Sequence, residues 1–369
     1  MIRRIFSLIR KELLAVLLDR KSRISIVLPP LVQLLVFTYA ATLDVKNVSI
    51  GILNRDAGEK AFELTQRFHG SPIFTDIVYL KSVEEITPFI DEQKGLMVLS
   101  IDEQFSRNLD AKKSADVQLI FDGRKSNSAQ ILSGYATQII ENYNENVRRD
   151  LSLSSPNTVL VPRNWFNPNI LYIWYNIPCL VATLSMLTCL VVTTQSVARE
   201  REVGTFDQLL VSPLKPFEIL IGKAVPGILI GAIEGMLMGA IGVFVLGVPF
   251  EGSFLLFCLA MVVFVIAVSG IGLFISSLCS TQQQAMLGSF TFMMPSILLS
   301  GFATPIENMP TWLQPVTYFM PLRYMLILTK GIFLKNMSTL FVLQNIWPLA
   351  LMGICTLVGS GLFFRKRFQ

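Results

Sequence analysis

Apolar residues along this chain gather into six long runs, at 24–43, 170–195, 224–248, 254–278, 285–303 and 345–364. A helix needs about 20 apolar residues to cross the hydrocarbon core of a bilayer, and each run meets or approaches that length. The pattern predicts a mostly α-helical membrane protein with six transmembrane helices. Before the first run, Ile2, Ile5, Ile9, Leu13 and Leu17 recur at helical spacing, with Arg3, Arg10 and Lys11 elsewhere on the turn. Residues 1–23 therefore read as an amphipathic cytoplasmic helix in the inner interface, or as an extension of the first span. The segment is too basic, and too far from a small-residue cleavage site, for a secretory signal peptide. Pro29 and Pro30 fall near the start of the first run, where a lost amide donor costs least.

Between the first and second runs the pattern changes. Short β-like stretches at 48–53, 77–80, 95–101 and 117–121 alternate with helical ones at 58–68, 83–92 and 102–112. A long helix over 126–149 follows the polar turn Asp122, Gly123, Arg124 and Lys125. This alternation predicts an α/β domain over 44–169. One span precedes it, so it is expected outside the cytoplasm. Its charges nearly balance, which gives no electrostatic reason to bind nucleic acid or a lipid surface. Binding another periplasmic protein and acting as a passive spacer both remain open. Residues 304–344 are apolar but broken by Pro305, Pro310, Pro315, Pro321 and Arg323. They predict short re-entrant helices in the outer leaflet, with Trp312, Tyr318 and Tyr324 at interface depth. Arg323, Lys330 and Lys335 would then lie outside, against the usual bias of basic residues.

Composition agrees with a membrane setting: 52% of the 369 residues are hydrophobic and 15% charged, against about 25% charged in soluble domains. The mean hydropathy is +0.55. Placement of charge matters more than the net +5. Arg3, Arg4, Arg10, Lys11, Arg20, Lys21 and Arg23 precede the first run, and Arg365, Lys366 and Arg367 follow the last. By the positive-inside rule both termini, including the tail 365–369, are expected in the cytoplasm, which requires an even number of spans in a multi-pass membrane protein. None of the five cysteines falls in 44–169, so no disulfide framework is available there, and the single histidine, His69, excludes a histidine-rich metal site. No phosphate loop occurs, since Gly222, Lys223 and Ala224 lack the early glycine and the hydroxyl. No nucleophile elbow or His-Glu-x-x-His is present either. The chain is not expected to be an enzyme or to bind a cofactor or metal directly; any nucleotide hydrolysis must come from another chain.

Residues 196–223 link two apolar runs. Arg199, Glu200, Arg201 and Glu202 mark where the chain leaves the bilayer. Gly204 breaks the line, and Thr205 with Gln208 has the spacing of a capping box. Phe206, Leu209 and Leu210 give the following turn an apolar side until Pro213. Pro216 can open another helix, with Lys223 at the membrane edge. The segment is either an interfacial turn resting on headgroups or a docking element that receives force from a soluble partner. In the next run, Gly227, Gly231, Gly235 and Gly239 form a stripe at successive i+4 positions, allowing another helix, of this subunit or another, to approach closely. Glu234 is the one acidic residue well inside a predicted span: a candidate contact for cargo or an ion, or a locally bonded structural glutamate.

The sequence Arg199-Glu-Arg-Glu-Val-Gly-Thr-Phe-Asp-Gln-Leu-Leu-Val-Ser-Pro213, followed by Gly222-Lys223, resembles the cytoplasmic loop of ABC-2 type transporter permeases. Ser276-Ser-Leu-Cys-Ser-Thr-Gln-Gln-Gln-Ala285 and Leu299-Ser-Gly-Phe-Ala-Thr-Pro-Ile-Glu-Asn-Met-Pro310 look like later signatures of that family. Asp122-Gly-Arg-Lys-Ser-Asn-Ser-Ala-Gln130 is similar to the external-domain motif of its YbhR-like bacterial multidrug-efflux branch. The resemblance implies a six-span half-transporter paired with a second permease copy or paralogue. It also implies cytoplasmic ABC ATPase subunits, carrying ATP and magnesium, docked on a coupling helix at 200–210, and an HlyD-like membrane-fusion protein outside. The resemblance is silent on cargo; few charges line the predicted spans, so export of hydrophobic or amphipathic compounds such as drugs suits the chain better than export of a bare ion. Export of sodium or other cations, or a membrane-anchored periplasmic receptor or scaffold, are the alternatives.

Overall fold

The computed structural model describes residues 2–39, 48–150, 165–169, 171–206 and 214–367. The chain divides into two compact units, Met1–Ala41 with Arg163–Gln369, and Thr42–Pro162.

In the first unit, α1 (Ile2–Leu18) and α2 (Arg20–Tyr39) precede α7 (Tyr172–Val203), α8 (Pro216–Phe244), α9 (Phe254–Leu278), α10 (Gln282–Leu299), α11 (Pro321–Lys335) and α12 (Thr339–Arg367). The helix α1 is amphipathic, as its spacing predicts, and lies along α8. There Leu8 is buried where a Cβ on Gly222 would come within 2.3 Å of its side chain. The core gathers Leu180, Leu184 and Cys189 of α7 with Met261, Phe264 and Val265 of α9 and Met325 and Phe333 of α11. Among the described residues, α7, α8, α9 and α12 are long and apolar enough to cross a membrane. The apolar part of α2, Ile26–Tyr39, is shorter, and α10 opens on three glutamines. The helix α8 runs unbroken from Pro216 through residues 223 and 224, where the pattern separated an interfacial helix from a span. Pro216 occupies its first turn, and the Glu218 carboxylate accepts from the Lys215 amide at 2.9 Å.

The segment after α10 contains two short 3-10 turns, Ile306–Asn308 and Gln314–Phe319, before α11 begins at Pro321. The three cations of α11 each lie over an aromatic face. Arg323 sits 4.0 Å from the Tyr318 ring and also donates to Thr317 Oγ1. Lys330 lies 5.2 Å from the Tyr175 ring and Lys335 5.3 Å from that of Phe166. A ring quadrupole attracts such cations.

The second unit is a four-stranded sheet in the order β2-β1-β3-β4. Strand β1 (Val48–Asn54) pairs in parallel with β2 (Phe74–Tyr79) and β3 (Met97–Ile101); β4 (Val117–Phe121) is antiparallel to β3. Parallel neighbours need crossovers, supplied by α3 (Glu59–His69) and α4 (Ile86–Asp91). The central strands β1 and β3 therefore bury both faces, while edge strand β2 is largely exposed. Ile50, Ile52, Met97 and Leu99 pack with Leu64 and Phe68 of α3, Phe105 of α5 (Phe105–Asp110) and Tyr143 of α6 (Ser126–Asp150). Leu53 and Val98 point the other way, onto Phe89 of α4. The Asp122 motif is the hinge between sheet and long helix. Buried Asp122 accepts from the amide and guanidinium of Arg124, which reaches on to the Ile90 carbonyl at 2.7 Å.

Candidate functional site

The helix α7 has 32 residues, about 48 Å at 1.5 Å per residue, against a hydrocarbon core of about 30 Å. Its last turns, bearing Arg199, Glu200, Arg201 and Glu202, therefore extend beyond its most apolar part. Gly204 ends the helix with φ +77, donating to Arg201 O while Thr205 donates to Glu200 O, both at or near 3.0 Å. This double closure requires a left-handed residue just past the helix, the conformation glycine adopts without steric cost.

Three of the four charges at this end have different neighbours, and Arg199 faces a cavity. The Arg201 guanidinium donates to the Ser277 and Cys279 carbonyls at 2.8 and 3.0 Å and lies 4.9 Å from the Phe206 ring. Glu202 accepts from the Gln282 amide at 2.8 Å, so both residues tie α7 to the link between α9 and α10. Phe206 packs against Val197, Ile219, Leu220, Ala224 and Leu273. Gln208, the second member of the expected capping box, and Leu209 and Leu210 lie outside the described residues.

Glu200 turns the other way. Its Oε2 is 2.6 Å from Lys223 Nζ, an ionic contact whose angles are not those of a hydrogen bond. Lys223 also lies 3.2 Å from Glu12 Oε1 and donates to Ser196 O at 3.0 Å. Lys11 Nζ donates to Glu200 Oε1 at 2.8 Å. Burial is the largest single influence on the Lys11 ammonium and lowers its pKa. The hydrogen bond and charge of Glu200, with the charge of Glu12, outweigh it and hold the group above its ordinary value. This cluster joins α1, α7 and α8. Sequence reasoning missed it: Lys223, expected at a membrane edge, is only 1% exposed, and Glu12 is buried on α1. The one available signal was a lysine and glutamates flanking apolar runs, since buried charges must find partners.

The cluster forms one wall of a cavity of about 1020 Å³ between α1, α2, α7, α8 and α10. Its polar end holds Lys11, Glu12, Arg199 and Glu200; its apolar end holds Ile26, Pro29, Leu187, Val191, Met286 and Phe290. Glu234 is not on this lining. It is buried on α8 with Thr188 of α7 as polar neighbour, and neither carboxylate oxygen has a hydrogen bond of acceptable geometry among the described residues.

The glycine stripe lies against helices of the same chain. A Cβ on Gly227 would stand 2.3 Å from Thr193 Cγ2, and one on Gly231 would stand 2.9 Å from Cys189 Cβ, both on α7. Gly235 would meet Met261 Cε at 2.5 Å and Gly239 the Phe257 ring at 3.2 Å, both on α9.

The chain matches the model of the ABC-2 family transporter proteins over residues 20–362. It is 46% identical over 367 residues to the probable multidrug ABC transporter permease YbhR of Escherichia coli K12, covering all of both chains. It is 31% identical to the probable multidrug ABC transporter permease YbhS of the same strain, over 98% of this chain and 94% of that one. With the inner membrane transport permease YhhJ of E. coli K12 it shares 28% identity over 98% and 95% of the two chains. Long apolar helices, a charged and glycine-capped end to α7 and a match across nearly the whole length agree: this chain belongs to the ABC-2 family of transporter proteins.

Proposed function

We propose that this permease subunit exports hydrophobic or amphipathic compounds across a bacterial inner membrane, driven by ATP hydrolysed in separate cytoplasmic ABC subunits. The observation that carries this reading is how the end of α7 is tethered. Arg201 and Glu202 tie it to the α9–α10 link, and Glu200 ties it to α1 and α8, around a large cavity with polar and apolar ends. A push delivered at 199–210 reaches three walls of that cavity as a rigid body. The names of the multidrug relatives favour drug-like cargo.

In this reading α2 and α10 complete six spans. Both termini face the cytoplasm, and Thr42–Pro162 lies outside, where an HlyD-like fusion protein would meet it. A second permease copy or paralogue closes the transport path, and ATP with magnesium stays on the partner chains. Export of sodium or another cation is the second reading, favoured by the buried carboxylate of Glu234 inside α8, which has Thr188 as polar neighbour and no well-formed hydrogen bond among the described residues.

One export experiment in cells carrying the partner ATPase separates the two. Glu202→Lys and Gly204→Val are expected to reduce drug efflux at least about tenfold by uncoupling the partner, with the permease still present in the membrane. Unchanged efflux in both variants would defeat the docking reading. Glu234→Gln is expected to leave neutral compounds unaffected; selective loss of cation export would move the second reading ahead.

A further inference from the structure

The polar end of the cavity carries three cations and three carboxylates, but they are not equally committed. Glu12 and Glu200 are held by Lys11 and Lys223. Asp19, the third acid on the lining, also has an interaction of its own. Arg199 differs from all of them. It is half-buried on the lining, and among the described residues its guanidinium makes no hydrogen bond, ion pair or ring contact. Its neighbours on α7 and α10 that share the lining, Gln195, Gln282 and Gln283, add uncharged amides. A cationic head group entering here would find every carboxylate engaged. An oxyanion would find a guanidinium fork ready for two parallel hydrogen bonds, and these charge-assisted bonds strengthen where water is scarce.

The rest of the cavity sets the shape of the ligand. Beyond Arg199 the lining becomes mostly apolar through Leu187, Val191, Met286 and Phe290, with Thr188 and Gln33 as polar members. At about 1020 Å³ it lies at the upper end of the roughly 300–1,000 Å³ usual for small-molecule sites. A guanidinium at the polar end of an apolar pocket is matched by a molecule with its charge at one end and its apolar body behind.

We infer that this cavity binds an amphiphile bearing a terminal oxyanion, with Arg199 receiving the carboxylate, sulfonate or phosphate and the α2–α7–α10 walls holding the apolar body. This deepens the export reading by giving the cargo site a charge preference. It concerns binding, which needs neither ATP nor a partner chain. The oxyanion could belong to a free amphiphile on its way out or to an anionic lipid of the surrounding leaflet, which basic residues near a membrane surface also attract.

The test uses the full chain in phosphatidylcholine nanodiscs, titrated with 11-(dansylamino)undecanoic acid and with its methyl ester, and with empty nanodiscs subtracted. The acid is expected to bind about tenfold or more tightly than the ester, the scale of one charge-assisted contact. Arg199→Gln is expected to erase that preference while leaving ester binding in place. Arg199→Lys keeps the charge but not the fork, so it should retain part of the preference, and it decides the matter if the Gln variant fails to fold. Equal binding of acid and ester to the native chain, or a preference that survives Arg199→Gln, overturns the assignment. Repeating the titration in phosphatidylglycerol nanodiscs identifies the source. A preference abolished there means that lipid already fills the site, and one that persists means a free amphiphile outcompetes lipid. If export fails in cells while the acid preference holds here, the transport reading falls and the site stands.

Discussion

A lysine with 1% of its surface exposed, in a helix otherwise apolar enough to cross a membrane, can remain charged only if carboxylates come to it. Glu200 and Glu12 do so, at 2.6 and 3.2 Å from Lys223. Removing the lysine alone leaves two buried carboxylates near each other, served by half-exposed Lys11 and a long hydrogen bond from Ser196 Oγ to Glu12. Lys223→Met is therefore expected to destabilise the chain by roughly 3–5 kcal/mol, the range for breaking a buried pair from one side. Adding Glu12→Gln and Glu200→Gln should recover much of that loss, because a neutral, hydrogen-bonded site carries no uncompensated charge. Thermal denaturation of the purified chain in mild detergent reads both. A Lys223→Met variant as stable as the native chain would mean that the cluster contributes nothing net. The sequence shows each of these residues but not the cluster, since its members lie on three helices far apart in the chain. By contrast, Gly204 was legible where it stands, because a glycine after a charged helix end is a local signal.

At the scale of elements, periodicity carried most of what could be read. The 3.6-residue spacing marked α1, and the alternation of strands and helices marked the crossovers of the α/β unit. Boundaries slipped where one pattern ran into another. The helix α8 absorbed the expected interfacial helix because Pro216 and Glu218 start it early and it runs on through Gly222 and Pro226 without a break. The stripe was visible, but its partner was not, because spacing alone does not say which helix fills a groove. A Cβ on Gly231 would stand 2.9 Å from Cys189 Cβ and 3.3 Å from the Ser185 carbonyl. Both atoms lie on or next to the α7 backbone and cannot turn aside, so Gly231→Ala must push α7 and α8 apart. The expected cost is about 1–3 kcal/mol, the range for overpacking. Gly134, exposed on α6 with nothing within 4 Å of an added Cβ, should respond with the opposite sign. Gly134→Ala is expected to stabilise by about 0.5–1 kcal/mol, since alanine loses less backbone entropy in a helix. Hydrogen exchange across α6 and α8 reads the two changes separately. Equal and small effects at both positions would show that the α7–α8 contact is loose.

The molecule as a whole combines two units held together by different physics. Unit Met1–Ala41 with Arg163–Gln369 packs long apolar helices, and its class was legible from hydropathy alone. Unit Thr42–Pro162 folds around a sheet, and the sequence predicted its elements but not their order, β2-β1-β3-β4, because strand pairing is non-local. That second unit also depends on ionised carboxylates. Asp56 accepts from the Ser106 and Gly58 amides at 2.6 and 2.8 Å, joining the loop after β1 to α5. Burial raises its pKa and is the largest single influence on it, but these hydrogen bonds together leave it below the ordinary carboxylate value. Asp122 is lowered too, foremost by its hydrogen bond from the Arg124 side chain. For a carboxyl group whose folded pKa lies below its unfolded one, the stabilising contribution is complete above the unfolded value, about 3.9. It is lost as pH falls through the folded value, because the unfolded chain then takes up protons more readily. The α/β unit should thus hold its stability from neutral pH to about pH 5 and loosen below about pH 4. Exchange of the amides at Gly58, Ser106 and Arg124, followed in the full chain from pH 7 downward with correction for intrinsic rates, measures this. Asp56→Asn and Asp122→Asn should each weaken the unit at neutral pH and flatten its response to acid. If the native profile is flat across that range, the two carboxylates do not secure the unit, and its order must rest on the packing of the sheet against α3, α4 and α6 alone.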